Sequence, residues 1–432
     1  MCEKKDWVLG CLAPACGQLA KGFYNAGPMF ADDRNGVTSE DSRMQVVFDV
    51  VEADFDAYVA TLKAAGMNGY LERSLGKDKF FAFAYAGKYY HVSFIEKRGE
   101  IRVVEDVLTT PISEFAYYKK GEQKSVFYQY GLYYDPNNDM TETTANCGMI
   151  YVVRLSDNSL FMVDGGYIYQ CTNEMIEGLW KFLLRITNTP EDGTIRIAGW
   201  YFTHAHDDHT DGCTKLLNRH HEQIVLERVM FNFPCFWYND SYSINTYLMK
   251  EAVAKYYPQA KLLKLHTGQK FSLADMTVEV MYAQEDAAER VDLSKMHLLD
   301  FNSTSSILKL TLDGKDIMML GDTNIDAEAL LKKYSDASLW KADMVQVAHH
   351  CFNHLDTMYE WIAAPMAVLP NTYFAAHRWD NIDKLAGVLK WVKDDQVYYE
   401  GEGTDAFVAT EDGFKHVETL PVIGGEYDFS GL

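Results

Sequence analysis

The chain has 432 residues, more than one ordinary domain of roughly 100–200 residues holds, so one large unit with a smaller companion is expected. Hydrophobic residues at 48% and charged residues at 24% are the proportions of a globular protein with ample core. Asp and Glu number 62 against 40 Lys and Arg, a formal charge of −22. That balance argues against gripping nucleic acid by phosphate neutralisation and against adhesion to anionic membranes. It leaves room for a local positive site, because a bound metal ion does not show in the count.

No apolar run of about 18 residues occurs, so no transmembrane helix is expected. Val8-Leu9-Gly10-Cys11 has the form of a lipoprotein cleavage box. Only Asp6 and Trp7 separate Lys5 from Val8, which leaves no room for the apolar segment of about 7–15 residues that export needs. A cytoplasmic location is therefore expected. The eight cysteines (2, 11, 16, 147, 171, 213, 235 and 351) are scattered, as reduced thiols are, and Cys11 and Cys16 form an isolated pair.

Residues 1–43 have little periodicity and read as an irregular lead-in. Met44–Val51 is a strand-like run, and Ala53–Ala65 carries helical spacing at Phe55, Tyr58, Val59 and Leu62 before Gly66. Strand-like runs follow at Phe80–Tyr85, Tyr89–Ile95 and Ile101–Val104, with Gly87 and Gly99 at the turns. Residues 44–105 thus form a small β-α-β-β-β domain without a cluster of His, Cys or carboxylates, suited to packing, recognition or dimerisation. Residues 106–123, with Pro111 and Lys119-Lys120-Gly121, read as a linker, and 124–432 as the main domain.

There, Met149–Leu155 and Leu160–Val163 suggest a hairpin around Asp157-Asn158. Asn173–Ile186 suggests a helix, and Ile195–Thr203 an apolar strand. Strand Gln223–Phe231, helix Ile244–Tyr256 and strands Lys261–His266 and Met276–Tyr282 come next. Ser305–Leu312 and Lys315–Leu320 form a second hairpin around Asp313-Gly314.

The strand ending at Thr203 runs into His204-Ala205-His206-Asp207-Asp208-His209, an H-x-H-x-D-H pattern. Residues two apart in an extended segment point the same way, so His204 and His206 can converge on one ion. Asp208 and His209 follow where the chain reverses and can face a second. Imidazoles with a carboxylate are the donors that borderline divalent metals such as Zn²⁺ choose. Three His in six residues, from 13 in the chain, set this segment apart from an ordinary polar loop.

The pattern resembles the metallo-β-lactamase superfamily, and further landmarks follow in order. Val163-Asp164-Gly165-Gly166 resembles the strand-end Asp-Gly whose Asp supports the metal loop from behind. Met319-Leu320-Gly321-Asp322-Thr323 resembles the motif of the carboxylate that bridges two metals. Ala348-His349-His350-Cys351 follows a strand at Met344–Val347, and Pro370-Asn371 with His377 follows another at Met366–Leu369. The resemblance covers roughly residues 125–420. It implies an α/β fold: a four-layer αββα sandwich preceded by the small α+β domain.

Within the superfamily the pattern is most similar to a branch holding phosphorylcholine esterases and the hydrolase domain of DNA-uptake competence proteins. Asn302-Ser303-Thr304-Ser305-Ser306 stands where other members have a histidine, as that branch does. The resemblance implies two divalent ions, Zn²⁺ or alternatively Mn²⁺ or Fe²⁺. His204, His206, His350 and Asp322 would hold the first, and Asp208, His209, His377 and Asp322 the second. His349 would donate to a substrate oxyanion. The choice between His349 and His350 as ligand stays open, since neighbours on a strand point oppositely. After the pair this chain has Cys351-Phe352-Asn353 in place of the branch's Gly and Ser, which reshapes the pocket.

Other histidines carry less. His266 reads as a satisfied loop residue, His297 and His354 are candidates to approach the site, His220-His221 suit a helix end, and His91 and His416 lack partners in sequence. Tyr373, Phe374 and Trp379 could line a substrate mouth or pack. The expected activity is a dinuclear metal-dependent hydrolase acting on a phosphodiester or related small ester through a metal-bridging hydroxide, with Asp208 and His349 assisting. A nuclease of the same fold and a non-catalytic metal-binding sensor are the alternatives. The charge disfavours the nuclease.

Overall fold

A computed structural model describes residues 7–14, 18–19, 42–106, 120–132, 148–167, 170–232, 243–287, 301–420, 422–423 and 426–427. His297 and most of the 106–123 linker lie outside the described residues.

The small domain is one antiparallel sheet and one helix. Its elements are β1 (Gln18–Leu19), β2 (Ser42–Phe48), α1 (Glu52–Ala64), β3 (Gly69–Leu75), β4 (Asp78–Tyr85), β5 (Lys88–Ile95) and β6 (Glu100–Asp106). The strand order is β1-β2-β6-β5-β4-β3. Helical spacing puts Phe55, Tyr58, Val59 and Leu62 on one face of α1, where all four are buried against Val47, Phe81, Phe83, Val92 and Phe94 of the sheet. The sequence expectation omitted β3, so the unit is β-α-β-β-β-β. The opposite face of the sheet sends Met44, Val46 and Val104 into a core of the large domain.

Among the described residues the large domain holds two large sheets and a two-stranded one, Val422–Ile423 paired with Glu426–Tyr427. The first contains β7 (Val126–Gln129), β8 (Tyr151–Arg154), β9 (Leu160–Val163), β10 (Ile195–Tyr201), β11 (Ile224–Leu226), β12 (Arg228–Phe231) and β13 (Lys261–Lys264), with helices α2 (Asn173–Ile186), α3 (Asp211–Arg219) and α4 (Ser243–Tyr256) between strands. The second is β14 (Lys270–Leu273), β15 (Met276–Tyr282), β16 (Ile307–Leu312), β17 (Lys315–Met319), β18 (Met344–Gln346), β19 (Ala367–Leu369) and β20 (Val397–Tyr399), in that order. Helices α5 (Ile325–Tyr334), α6 (Asp356–Ile362), α7 (Tyr373–Ala376) and α8 (Ile382–Leu389) accompany it. The chain then returns to the first sheet as β21 (Thr404–Thr410) and β22 (Gly413–Leu420), with β21 pairing β7.

Alternation along the strands builds four layers. Tyr151 and Val153 of β8 point between the sheets with Leu308 and Leu310 of β16 and Ile317 and Met319 of β17. Val152 faces the other way, onto Leu179, Leu183, Leu216 and Val253 of α2, α3 and α4. Ile307 and Met318 face Leu331, Met358, Ile362 and Leu385 of α5, α6 and α8. Each of these side chains contributes about 1.5–3 kcal/mol by leaving water, and together they fix the order helix, sheet, sheet, helix. The αββα layering expected from the sequence is the one the chain adopts. Among the described residues no helix is long and apolar enough to cross a membrane.

Candidate metal centre

The site lies where strands of both sheets end. β10 stops at Tyr201, and the chain continues through Thr203 and the two histidines into a 3-10 turn at Asp207–His209 before α3. Asp164, just past β9, fixes this loop from behind and is fully buried. Its Oδ1 accepts from Thr203 N at 2.8 Å, and its Oδ2 accepts from Thr203 Oγ1 at 2.8 Å and from His209 Nδ1 at 2.7 Å. Gly165 is required beside it, since a Cβ there would stand 2.4 Å from Cys213 Cβ on α3.

From the second sheet, β17 delivers Asp322 and β18 delivers the His349-His350 pair. Gln346 Oε1 accepts from the N–H groups of Leu320 and Gly321 at 2.8 and 2.7 Å, and Ser305 Oγ accepts from Asp322 N at 3.2 Å. His349, His350 and Cys351 have φ of 48°, 52° and 67°, three consecutive residues in the left-handed region. Such backbone costs energy in side-chain-bearing residues and persists where surrounding contacts enforce it. Here His350 Nδ1 donates to Pro370 O at 2.9 Å, and Asn371 Nδ2 donates to His350 O at 3.0 Å. The turn also ends the strand's alternation, so both histidines reach the same carboxylate.

Asp322 Oδ2 is the hub. It lies 3.3 Å from His209 Nε2, 3.4 Å from His350 Nε2, 3.7 Å from His204 Nε2 and 3.9 Å from His349 Nε2. Asp208 approaches His350 Nε2 at 3.5 Å and His209 Nε2 at 3.7 Å, and His204 Nε2 stands 3.0 Å from His206 Nδ1. Two groups of potential ligands result: His204, His206 and Asp322, and then Asp208, His209, Asp322 and His350. Bonds of about 2.0–2.2 Å in a tetrahedron put ligand atoms about 3.4 Å apart, which matches these spacings.

Three atoms test the fit. His209 Nε2, His350 Nε2 and Asp322 Oδ1 are buried without a protein hydrogen-bond partner. Buried polar atoms are rarely left so. Both imidazoles spend Nδ1–H on an acceptor outside the cluster, Asp164 and Pro370 O, which in the neutral ring turns an Nε2 lone pair inward. Burial works against charge on His209 and His350. Asp322 and Asp208 around both, with Asp164 beside His209, nevertheless hold the two imidazoles well above the ordinary histidine range. Burial and His209 push His204 well below it. The donor set and its negative surroundings fit divalent cations.

The geometry regroups the expected ligands. His350 stands with Asp208 and His209 and not with His204 and His206, because the left-handed turn swings it across the cluster. His377 is outside both groups: it stacks on Tyr373 at 3.8 Å, and its Nδ1 donates to Tyr373 O at 2.9 Å. It caps the short α7, whose axis the sequence did not reveal. His349 is at the rim, partly exposed, between Asn353 and Asn302, the latter 3.3 Å from its Nε2.

The remaining described histidines have partners elsewhere. His354 pairs with Asp383 at the surface and His220 caps α3. His416 and His91 do have partners, Asp405 Oδ1 at 2.8 Å and Thr267 O at 3.1 Å, supplied by strands distant in sequence. Tyr373, Phe374 and Trp379 are exposed. Two residues were missed. Phe301 sets a ring against His206 at 5.4 Å. Glu400 is fully buried, and burial raises its carboxyl well above the ordinary range while His350 and His209 counteract. Neither stands in a motif, so no sequence signal marks them.

No protein-family model and no curated protein matches the chain. Among solved structures it is similar to the metallo-β-lactamase fold protein YhfI from Bacillus subtilis, at 11% identity and a TM-score of 0.38 over 64% of this chain and 97% of that one. Zn²⁺-bound PqqB from Methylobacterium extorquens gives 11% and 0.32 over 55% and 77%. A long-form RNase Z from yeast gives 7% and 0.39 over 69% and 50%. These are similarities; the layer order and the cluster rest on the geometry above.

Proposed function

We propose that the protein is a dinuclear metal-dependent hydrolase whose substrate is a phosphodiester or a related small ester. The observation that carries this is the convergence of His209 Nε2, His350 Nε2 and Asp322 Oδ1, buried together without a protein hydrogen-bond partner. His204, His206 and Asp322 would hold one ion, and Asp208, His209, His350 and the same Asp322 the other, zinc being favoured by the donors and manganese or iron the alternatives. When bound, such ions supply Lewis acidity that polarises a phosphoryl or carbonyl oxygen and makes water reactive near neutral pH.

The chain's own residues complete the chemistry. Asp208 keeps part of its carboxylate open to solvent, so it can orient a water and take up its proton. His349 is the more exposed of the paired histidines, and its Nε2 faces the cluster, suited to donating to an oxygen that gains charge. Thr203 and Asp164 hold the loop still. The charge of −22 favours small substrates over long nucleic acids. Buried Cys171, Cys213 and Cys351, none in a disulfide, agree with a reducing compartment.

The experiment is metal analysis with turnover of bis(p-nitrophenyl) phosphate. Nearly two metal equivalents are expected, with loss of metal and activity in Asp322→Ala. Full activity in a chelated, metal-free sample would sink the proposal.

A further inference from the structure

The small domain meets the large one across charged groups that are almost wholly buried. Arg102 on β6 is 1% exposed; its Nε donates to Glu100 Oε1 at 2.7 Å and its Nη1 to Asp286 Oδ1 at 2.5 Å. Arg98 donates to the backbone O of Asp286 and lies over the Tyr334 ring at 4.0 Å, so it also touches the end of α5. Asp106 pairs with His266 at 2.6 Å, and His266 pairs with Glu285 at 3.1 Å. Three small-domain residues, Arg98, Arg102 and Asp106, thus converge on the stretch 266–287, and Asp286 and Glu285 sit in its 3-10 turn, Gln284–Ala287.

That stretch leads to the metal centre. Tyr282 OH donates to Ser303 O at 2.8 Å, and the 284–287 turn packs on the turn Phe301–Thr304. Segment 301–306 then touches both halves of the site. Ser305 Oγ accepts from Asp322 N, Ser306 N donates to Thr203 O at 2.9 Å, Phe301 abuts His206, and Asn302 meets His349. Ser303 also bonds Asn324, the N-cap of α5, two residues beyond Asp322.

We infer that the small domain is a positioning element of the metal centre. Arg102 is the residue that clamps Asp286, so the 284–287 turn and the 301–306 segment are held against the ligands. The reason is chemical as much as geometric. A buried guanidinium keeps its place only while its carboxylates keep theirs, so the contact is set in one arrangement where an apolar contact would slide. The inference deepens the proposed function and rests on the metal reading for one of its two measurements.

The test uses the full chain. Arg102→Lys keeps the charge and removes the fork. It is compared with wild type at a temperature where circular dichroism shows both folded. Amide exchange at Ser305 and Ser306, followed without metal, is expected to accelerate at least about tenfold. Co²⁺ binding is expected to weaken about 10- to 100-fold, the range for outer partners of a metal site, with a changed visible spectrum of the bound Co²⁺. If Arg102→Lys does not fold, Asp286→Asn is expected to give the same two effects. Wild-type exchange at 305–306 with a wild-type Co²⁺ spectrum, and only a lower Tm, would overturn the inference and leave Arg102 a structural pair. A wild-type chain that takes up no Co²⁺ would fail the metal reading instead. Exchange then decides the clamp alone, acceleration upholding it and unchanged rates rejecting it.

Discussion

At His349 the chain accepts a left-handed φ that glycine would adopt without strain, and it does so in three successive residues. Strain of this kind is tolerated where the side chain has work to do. His349→Gly should therefore fold more stably than His349→Ala by about 1 kcal/mol, read from urea unfolding, while both lose turnover. The ligand grouping gives a sharper contrast. His350→Ala should cost about one metal equivalent, and His377→Ala none, by metal analysis of the purified variants. Asp164→Asn should keep the ligands and still weaken metal binding about 10- to 100-fold, since Asp164 orients His209 and Thr203. The spacing His204-x-His206-x-Asp208-His209 made these four neighbours legible because one loop carries them all. His377 stands in neither group, and its position depends on where α7 turns, which no local pattern states.

At the scale of elements, the clearly periodic helices and the hairpins were readable, and β3, β21 and β22 were not. Helix α2 matches its expected range, and hairpins β8–β9 and β16–β17 fall around the expected turns. β3 escaped because Glu72 and Arg73 break its alternation; they are placed by partners elsewhere, Lys63 and Glu279. The run expected at Gln223–Phe231 divides into β11 and β12 at Glu227.

The stacked pair His91 and His266, rings 5.1 Å apart, ties β5 to the segment before β14. Burial and His266 lower His91 to about 3. Burial opposes charge on His266, but Asp106 and Glu285 outweigh it and lift it to about 9. Below the ordinary value near 6.5 the unfolded chain protonates His91 and the fold does not, so this residue makes stability rise with pH up to about 6.5. His266 contributes fully below about 6.5, and its contribution is lost as pH rises through about 9. The pair should place a stability maximum near pH 6.5. Urea midpoints across pH 4–10 check this, with His266→Gln expected to flatten the alkaline decline and His91→Gln the acid one.

For the whole molecule, the −22 charge acts through association and not through fold. Turnover of a small phosphodiester should depend little on salt, and long DNA or RNA should remain intact in a gel assay at low ionic strength. Cleavage there as fast as the small ester would reverse the substrate preference.

The sequence by itself placed His204, His206, Asp208 and His209 on one loop and marked the long helices and hairpins, and it implied the αββα layering only through a resemblance. Strand alternation, helical spacing and ligands within one turn are local properties, written in residues close together. Tertiary structure decided what depends on distant chain segments meeting. It set His350 beside Asp208, left His377 outside both ligand groups, buried Glu400 and joined Arg102 to Asp286 across 184 positions. Burial there turns ordinary charged residues into fixed pairs, because an unpaired charge out of water is too costly to keep, and no spacing rule carries that information.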